Sequence, residues 1–142
     1  MPRDLRNSMM NSERISEFLQ EANLLDLATI TPEGFPHVTP VWFNWDGENF
    51  LISTVRTRKK ARNLALNPNA GFSIAPTELS YKAVVGYGTV QIEDDPTGAL
   101  IETLCYKYLP ADKAGKYFES INREGGRVIV TLTPTWMTSW EG

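Results

Sequence analysis

Leu27-Ala28-Thr29-Ile30-Thr31-Pro32-Glu33-Gly34-Phe35-Pro36-His37-Val38-Thr39-Pro40-Val41-Trp42-Phe43-Asn44-Trp45-Asp46-Gly47-Glu48-Asn49-Phe50-Leu51-Ile52-Ser53-Thr54 decides the fold, because its apolar runs are separated only by turns. A strand begins at Leu27, and Thr31-Pro32-Glu33-Gly34 places proline at the second and glycine at the fourth position of a type I turn. The spacing predicts a return strand from Val38 to Trp45, a turn starting at Asp46-Gly47, and a third strand over Phe50 to Thr54 paired with the second. Such tight links leave no room for the dozen or more residues of a parallel crossover, so the sheet is expected to be an antiparallel meander.

Upstream, Asn11 and Ser12 are placed to cap a helix whose stripe is Ile15, Phe18, Leu19 and Ala22. Downstream, a second helix runs from Thr57, a candidate cap, to Asn67-Pro68, where proline restricts the preceding residue. Gly71 to Ala75 reads as a short strand and Tyr81 to Ile92 as a long one, with Gly86 and Gly88 marking a bulge, bend or close approach. Asp95 and Pro96 open a helix carrying Leu100, Ile101, Leu104, Cys105 and Tyr108. Another follows Pro110 with Tyr117, Phe118 and Ile121, and Arg127 to Thr133 is the last clear strand. Six strands with short links and peripheral helices predict a mainly β protein, a closed antiparallel barrel decorated by helices. With 142 residues, the whole chain is expected to form one domain.

Between the third strand and Asn67, Arg56, Arg58, Lys59, Lys60 and Arg62 crowd into seven positions, although the chain's formal charge is −3. The cations sit at a helix start, whose partial positive charge makes each of them unfavourable by a few tenths of a kcal/mol, roughly, without an anion. No Asp or Glu occurs between Asn49 and Thr77 to relieve the repulsion locally. A solvated surface face is the bland account of such a cluster; convergent cations and free N–H groups make a phosphate cradle the sharper one.

Composition narrows the classes of function. A pI near 5.2 argues against broad nucleic-acid binding, which needs a basic stripe and not one knot. No apolar run reaches the ~20 residues of a membrane-spanning helix. Met1 to Asn11 lacks the apolar core of a secretory leader, and a cytoplasmic location is the expectation. One cysteine, Cys105, excludes an internal disulfide and, with the single His37, a Cys/His zinc site. His37 follows Pro36 with no G-x-S-x-G pattern in the chain, so it reads as a strand-edge or pocket-rim residue and not part of a hydrolytic triad. Neither a P-loop nor a G-x-G-x-x-G signature is present. A phosphate cradle beside the aromatic strands Pro40 to Trp45 and Trp136 to Trp140 suits a planar phosphorylated cofactor, with some of the tryptophans serving the core.

Taken in order, Gly-Phe-Pro-His-Val-Thr-Pro-Val-Trp-Phe (34–43), Asp-Gly (46–47), Ser-Thr (53–54) and Arg-Lys-Lys-Ala-Arg-Asn-Leu-x-x-Asn-Pro (58–68) resemble the pyridoxamine 5′-phosphate oxidase-like, FMN-binding split-barrel family. The likeness is greatest to its small oxidoreductases that use the deazaflavin coenzyme F-420 or FMN. It spans roughly Asp26 to Ile92, and the last strand loosely. It implies a six-stranded antiparallel split β-barrel with peripheral helices, and a homodimer with cofactor sites at the interface. In similar proteins the residues matching Arg58 and Lys60 hold the cofactor phosphate, with Arg56 and Thr57 nearby. Those matching Thr39, Pro40 and Val41, and Ser53, Thr54 and Val55, run along the ring. Tyr81, Lys82, Trp136 and Trp140 are the corresponding candidates from the second subunit.

Departures from the family pattern narrow the activity further. A pyridoxamine phosphate oxidase proper is longer and ends in an arginine-containing substrate segment, where this chain ends Thr-Pro-Thr-Trp-Met-Thr-Ser-Trp-Glu-Gly. The haem-degrading relatives use C-terminal histidine chemistry, and no histidine follows His37. The expectation is therefore an oxidoreductase passing hydride between a deazaflavin, or FMN in its place, and a small conjugated substrate. The rivals are a flavin carrier or sensor without turnover and, ranked last, an RNA-binding barrel.

Overall fold

The computed structural model describes residues 8–142; the leader reading at Met1 to Asn11 falls mostly outside them. The chain runs α1 (Ser12–Leu19), β1 (Leu24–Ile30), β2 (Pro36–Val41), β3 (Asn44–Trp45), β4 (Phe50–Val55), α2 (Lys59–Leu66), β5 (Asn69–Ala75), β6 (Lys82–Asp94), α3 (Ala99–Tyr108), α4 (Ala111–Asn122) and β7 (Arg127–Glu141). All strands pair antiparallel in one sheet of order β2-β1-β5-β6-β7-β4-β3. Its two edges, β2 and β3, are joined by Trp42 and Phe43 alone. Chain reach holds Val41 and Asn44 within about 11 Å, so the sheet must curl until its edges nearly meet. That curl is the split barrel.

Seven strands replace the expected six because the return strand is cut in two. The backbone N–H of Phe43 donates to the Tyr108 hydroxyl at 3.1 Å, and its carbonyl accepts from Lys107 Nζ at 2.7 Å. Side chains of α3 thus satisfy the groups that a β ladder would have used, and the chain leaves β2 there. The expected meander changes accordingly: only Asn44 and Trp45 pair with β4, whose long partner is β7.

β7 also runs past its expected end at Thr133, through Pro134, to Glu141. The register shifts between Tyr87 and Gly88, which face Trp136 and Pro134, so Pro134 sits at a β-bulge. Proline is tolerated at such a point. Asn11 caps α1 by accepting from Arg14 N at 2.8 Å, while Ala22 lies beyond the helix and is exposed. Asp95 holds the start of α3 through Ala99 N and Leu100 N, at 3.2 and 3.0 Å. Among the described residues, no helix is long and apolar enough to cross a membrane.

Two apolar cores result. The barrel interior holds Phe18, Phe43, Phe50, Ile52, Val130 and Met137 among others. The α3–α4 hairpin forms a second core with Leu100, Ile101, Leu104, Cys105 and Ala114, packed on Trp42, Leu51 and Ile129 from the outside of the barrel. Burial pushes the Cys105 thiol pKa up.

The junction between hairpin and barrel is polar at one point. Tyr108 donates to Asn23 O at 2.7 Å, and burial raises its pKa to about 12, so its hydroxyl stays protonated. Lys107 lies 4.6 Å over the Phe43 ring, and burial lowers its pKa to about 8. Because that folded value lies below the unfolded one near 10.5, the charge opposes folding at neutral pH, and this cost fades as pH rises from about 8 to 10.5. Lys107→Met is expected to be more stable than wild type by about 1–2 kcal/mol at pH 7, the ammonium's contacts offsetting part of the burial cost. Denaturant unfolding at pH 7 and pH 10 checks this, and the gap should narrow at the higher pH.

Candidate cofactor-binding site

Alternation along β4 turns Phe50, Ile52 and Thr54 inward and Leu51, Ser53 and Val55 outward. Opposite the outward set, β7 places Ile129 against Ser53 and Arg127 against Val55. The α3–α4 hairpin covers Leu51 and Ile129 with its own core. Past them it stands off, leaving a cavity of about 540 Å³ between hairpin, β4, the start of β7 and the end of β2. That volume lies within the roughly 300–1,000 Å³ common for small-molecule sites.

The cavity lining is of two kinds. Trp42, Ile101, Leu104 and Tyr117 are apolar or aromatic. Tyr108 stacks on the Trp42 indole at 4.9 Å and 7°, and Tyr117 lies tilted 6.0 Å away, so the indole is held in place. Arg58, Lys60 and Arg127 line the same space together with the carboxylate Glu124. Arg58 Nη2 lies 3.3 Å from Glu124 Oε2, both side chains being half exposed.

Lys60 is half-buried, and its pKa is lowered first by loss of water and then by the charge of Arg58. Among the described residues, no carboxylate comes within ion-pair distance of it. The N–H groups of the first turn of α2 have no intrahelical carbonyl to serve them. A buried cation, a repelling neighbour and open helix donors leave this corner short of negative charge.

The predicted site residues separate into three groups. Pro40, Val41, Ser53, Thr54, Val55, Arg58 and Lys60 line the cavity together. Thr39, one step along β2, does not line it, but its hydroxyl is buried without a partner among the described residues. Arg56 is turned away to Asp94 at 2.6 Å, and Thr57 is exposed. The helix cap expected at Thr57 is instead Arg58, whose N–H turns back to Val55 O at 2.9 Å and which makes no side-chain cap. Tyr81, Lys82, Trp136 and Trp140 lie toward the far ends of β6 and β7, outside the cavity of this chain. Trp136 stacks on Tyr87 at 5.3 Å, and Lys82 Nζ lies 5.5 Å over Phe18. His37 lies on the edge strand β2, as its surroundings in the sequence suggested.

Sequence reasoning missed Arg127, Glu124 and the hairpin wall as parts of this space. Their only sequence signal was a strand-opening arginine after a Glu-Gly-Gly turn, which has no meaning until β7 is known to pair with β4.

A single antiparallel sheet curled until its edges nearly meet, with helices packed outside it, is the split-barrel class of fold. The sequence profile of the pyridoxamine 5′-phosphate oxidase family matches residues 12–141, and the chain belongs to that family. A solved F420 reductase is 33% identical, covers 87% of this chain and 94% of its own length, and superposes with a TM-score of 0.72. General stress protein 26 of Bacillus anthracis shares the fold at 20% identity, covering 90% and 92% of the two chains, with a TM-score of 0.66. Heme oxygenase HutZ of Vibrio cholerae is 27% identical over 88 residues, which is 62% of this chain and 49% of HutZ. The chain therefore matches about half the length of that curated relative.

Proposed function

We propose that this cavity holds a phosphorylated flavin-type cofactor, the deazaflavin coenzyme F-420 or FMN in its place, and that the protein is an oxidoreductase acting on a small conjugated substrate. The observation that carries the reading is Lys60: a half-buried ammonium in a ligand-sized cavity, beside Arg58, with no carboxylate partner among the described residues. Ser53 Oγ and Arg127 Nε, buried donors with no partner among the described residues, supply the remaining test of fit, since both residues line the same space. The likeness to an F420 reductase supports the deazaflavin.

In this reading Lys60 and Arg58 hold the phosphate by charge-assisted hydrogen bonds. The backbones of Pro40, Val41 and Ser53 to Val55 lie along the ring, and Trp42, Leu104 and Tyr117 exclude water from the side where substrate approaches. A bound flavin or deazaflavin supplies the hydride chemistry itself. The protein's share is binding and orientation, which convert an encounter into a positioned reaction. A second subunit would add Tyr81, Lys82, Trp136 and Trp140; the 67% exposure of Tyr81 suits such a role.

A carrier without turnover is the second reading, favoured by one observation. Among the described residues one carboxylate, Glu124, lines the cavity and is already engaged by Arg58, and His37 does not line it. The test has two stages. Separate fluorescence titrations with FMN and the deazaflavin should show saturable binding of at least one, and binding of neither to folded protein would overturn the proposal. Reduced cofactor on the protein should then pass hydride to members of a panel of conjugated acceptors, whereas tight binding without transfer to any would favour the carrier.

A further inference from the structure

We propose that Arg127 is a second anion anchor of the cavity, acting with Ser53 on the ligand's phosphate while Glu124 serves as the internal counter-ion that the phosphate displaces. This rests on the cavity being a phosphate site, and it assigns a role to three residues that the basic run near residue 60 does not contain.

The register of β4 and β7 sets the geometry. Arg127 lies opposite Val55, and Ile129 opposite Ser53, so Arg127 and Ser53 are diagonal neighbours on the face that floors the cavity. Both carry a buried donor with no partner among the described residues, Arg127 Nε and Ser53 Oγ. A guanidinium presents five N–H donors, and a buried one left unmade is costly. The side-chain hydrogen bond that Arg127 does make is long, Nη2 to Ile121 O at 3.4 Å. Arg127 lines the same space as Arg58 and Lys60.

Three cations sharing that space with one carboxylate leave a local excess of two positive charges. Burial lowers the pKa of the Arg127 guanidinium most, Glu124 opposes this, and Arg58 adds to it, so these three groups act on one another across the cavity. Glu124 lines the cavity half exposed and 3.3 Å from Arg58. A carboxylate in that position shields the cations when the cavity is empty and can swing into solvent as a phosphate arrives. Phosphate oxygens accept several donors at once, and a planar guanidinium meets two of them in parallel.

The test titrates FMN and the deazaflavin in parallel, each beside its phosphate-free riboside, against wild type, Lys60→Ala, Arg127→Met, Arg127→Lys and Glu124→Gln. Arg127→Met should weaken binding of the phosphorylated form about tenfold or more and leave the riboside within about twofold. Arg127→Lys should restore part of the loss, and Glu124→Gln should tighten the phosphorylated form several-fold. If Lys60→Ala loses affinity and Arg127→Met does not, the phosphate site stands and the role of Arg127 falls. Equal loss of phosphorylated form and riboside in Arg127→Met, with Arg127→Lys no better, would make the residue structural and overturn the inference. Wild type that holds both forms equally would remove the phosphate site and the inference with it.

Discussion

Lys60→Ala is expected to weaken cofactor binding by about tenfold to a hundredfold, the equivalent of one charge-assisted hydrogen bond of about 1.5–3 kcal/mol. The unbound protein should unfold no sooner than wild type. Both halves follow from the same observation. Lys60 is half-buried beside Arg58, and burial and that like charge each lower its pKa, so in the empty cavity its ammonium opposes folding. A cation that stabilised the fold through a partner would show the opposite shift. Among the described residues the carboxylate nearest this corner, Glu124, is held by Arg58. Fluorescence titration and apo thermal unfolding measure the two halves separately. A variant that unfolds early would mean that the cluster is structural; one that binds as tightly as wild type would place the phosphate elsewhere.

Gly88→Val should cost the fold about 3 kcal/mol or more. A Cβ at Gly88 would fall well inside contact distance of the Thr133 carbonyl oxygen and 2.8 Å from Pro134 Cα. Both obstacles are backbone, so neither can rotate away. The glycine sits where β6 and β7 shift register, opposite the bulge that lets Pro134 stay in the strand. Displacing it would disturb the long ribbon that continues to the proposed interface residues Trp136 and Trp140. Gly71 is the control, because a Cβ there would meet Ala28 Cβ at 3.6 Å and Gly86 O at 3.7 Å, which is ordinary packing. Gly71→Ala should therefore stay within about 1 kcal/mol of wild type, neither clashing nor leaving a void. Denaturant unfolding compares the two, and equal costs would contradict the account of the bulge.

What the sequence revealed and what it hid divide along the distance between interacting residues. Gly86 and Gly88 announced an irregular point on a long strand because glycine itself is the signal. Arg58 and Lys60 stood out because nothing acidic lies near them in the chain, and the fold does bring both to one cavity. The true partners of the neighbouring arginines were invisible: Asp94 is 38 positions from Arg56, and Glu124 is 66 from Arg58. The break at Trp42-Phe43 was hidden likewise, since Tyr108 and Lys107 impose it from 65 and 64 positions away. The last strand outruns its expected end at Thr133. A proline ends a regular strand, but at a bulge its missing N–H removes no ladder bond, so β7 passes through Pro134. For the same reason the hairpin residues Ile101, Leu104 and Tyr117 read as helix packing, although they wall the cavity as well.

The central claim is that the cations at the start of α2 converge on a cofactor phosphate. Crystals grown or soaked with FMN and with the deazaflavin test it most directly. The account predicts density for a phosphate within hydrogen-bonding distance of Lys60 Nζ and the Arg58 guanidinium, with the ring running toward Trp42 along Ser53 to Val55. Ligand density lying elsewhere, with water alone beside Lys60, would contradict it.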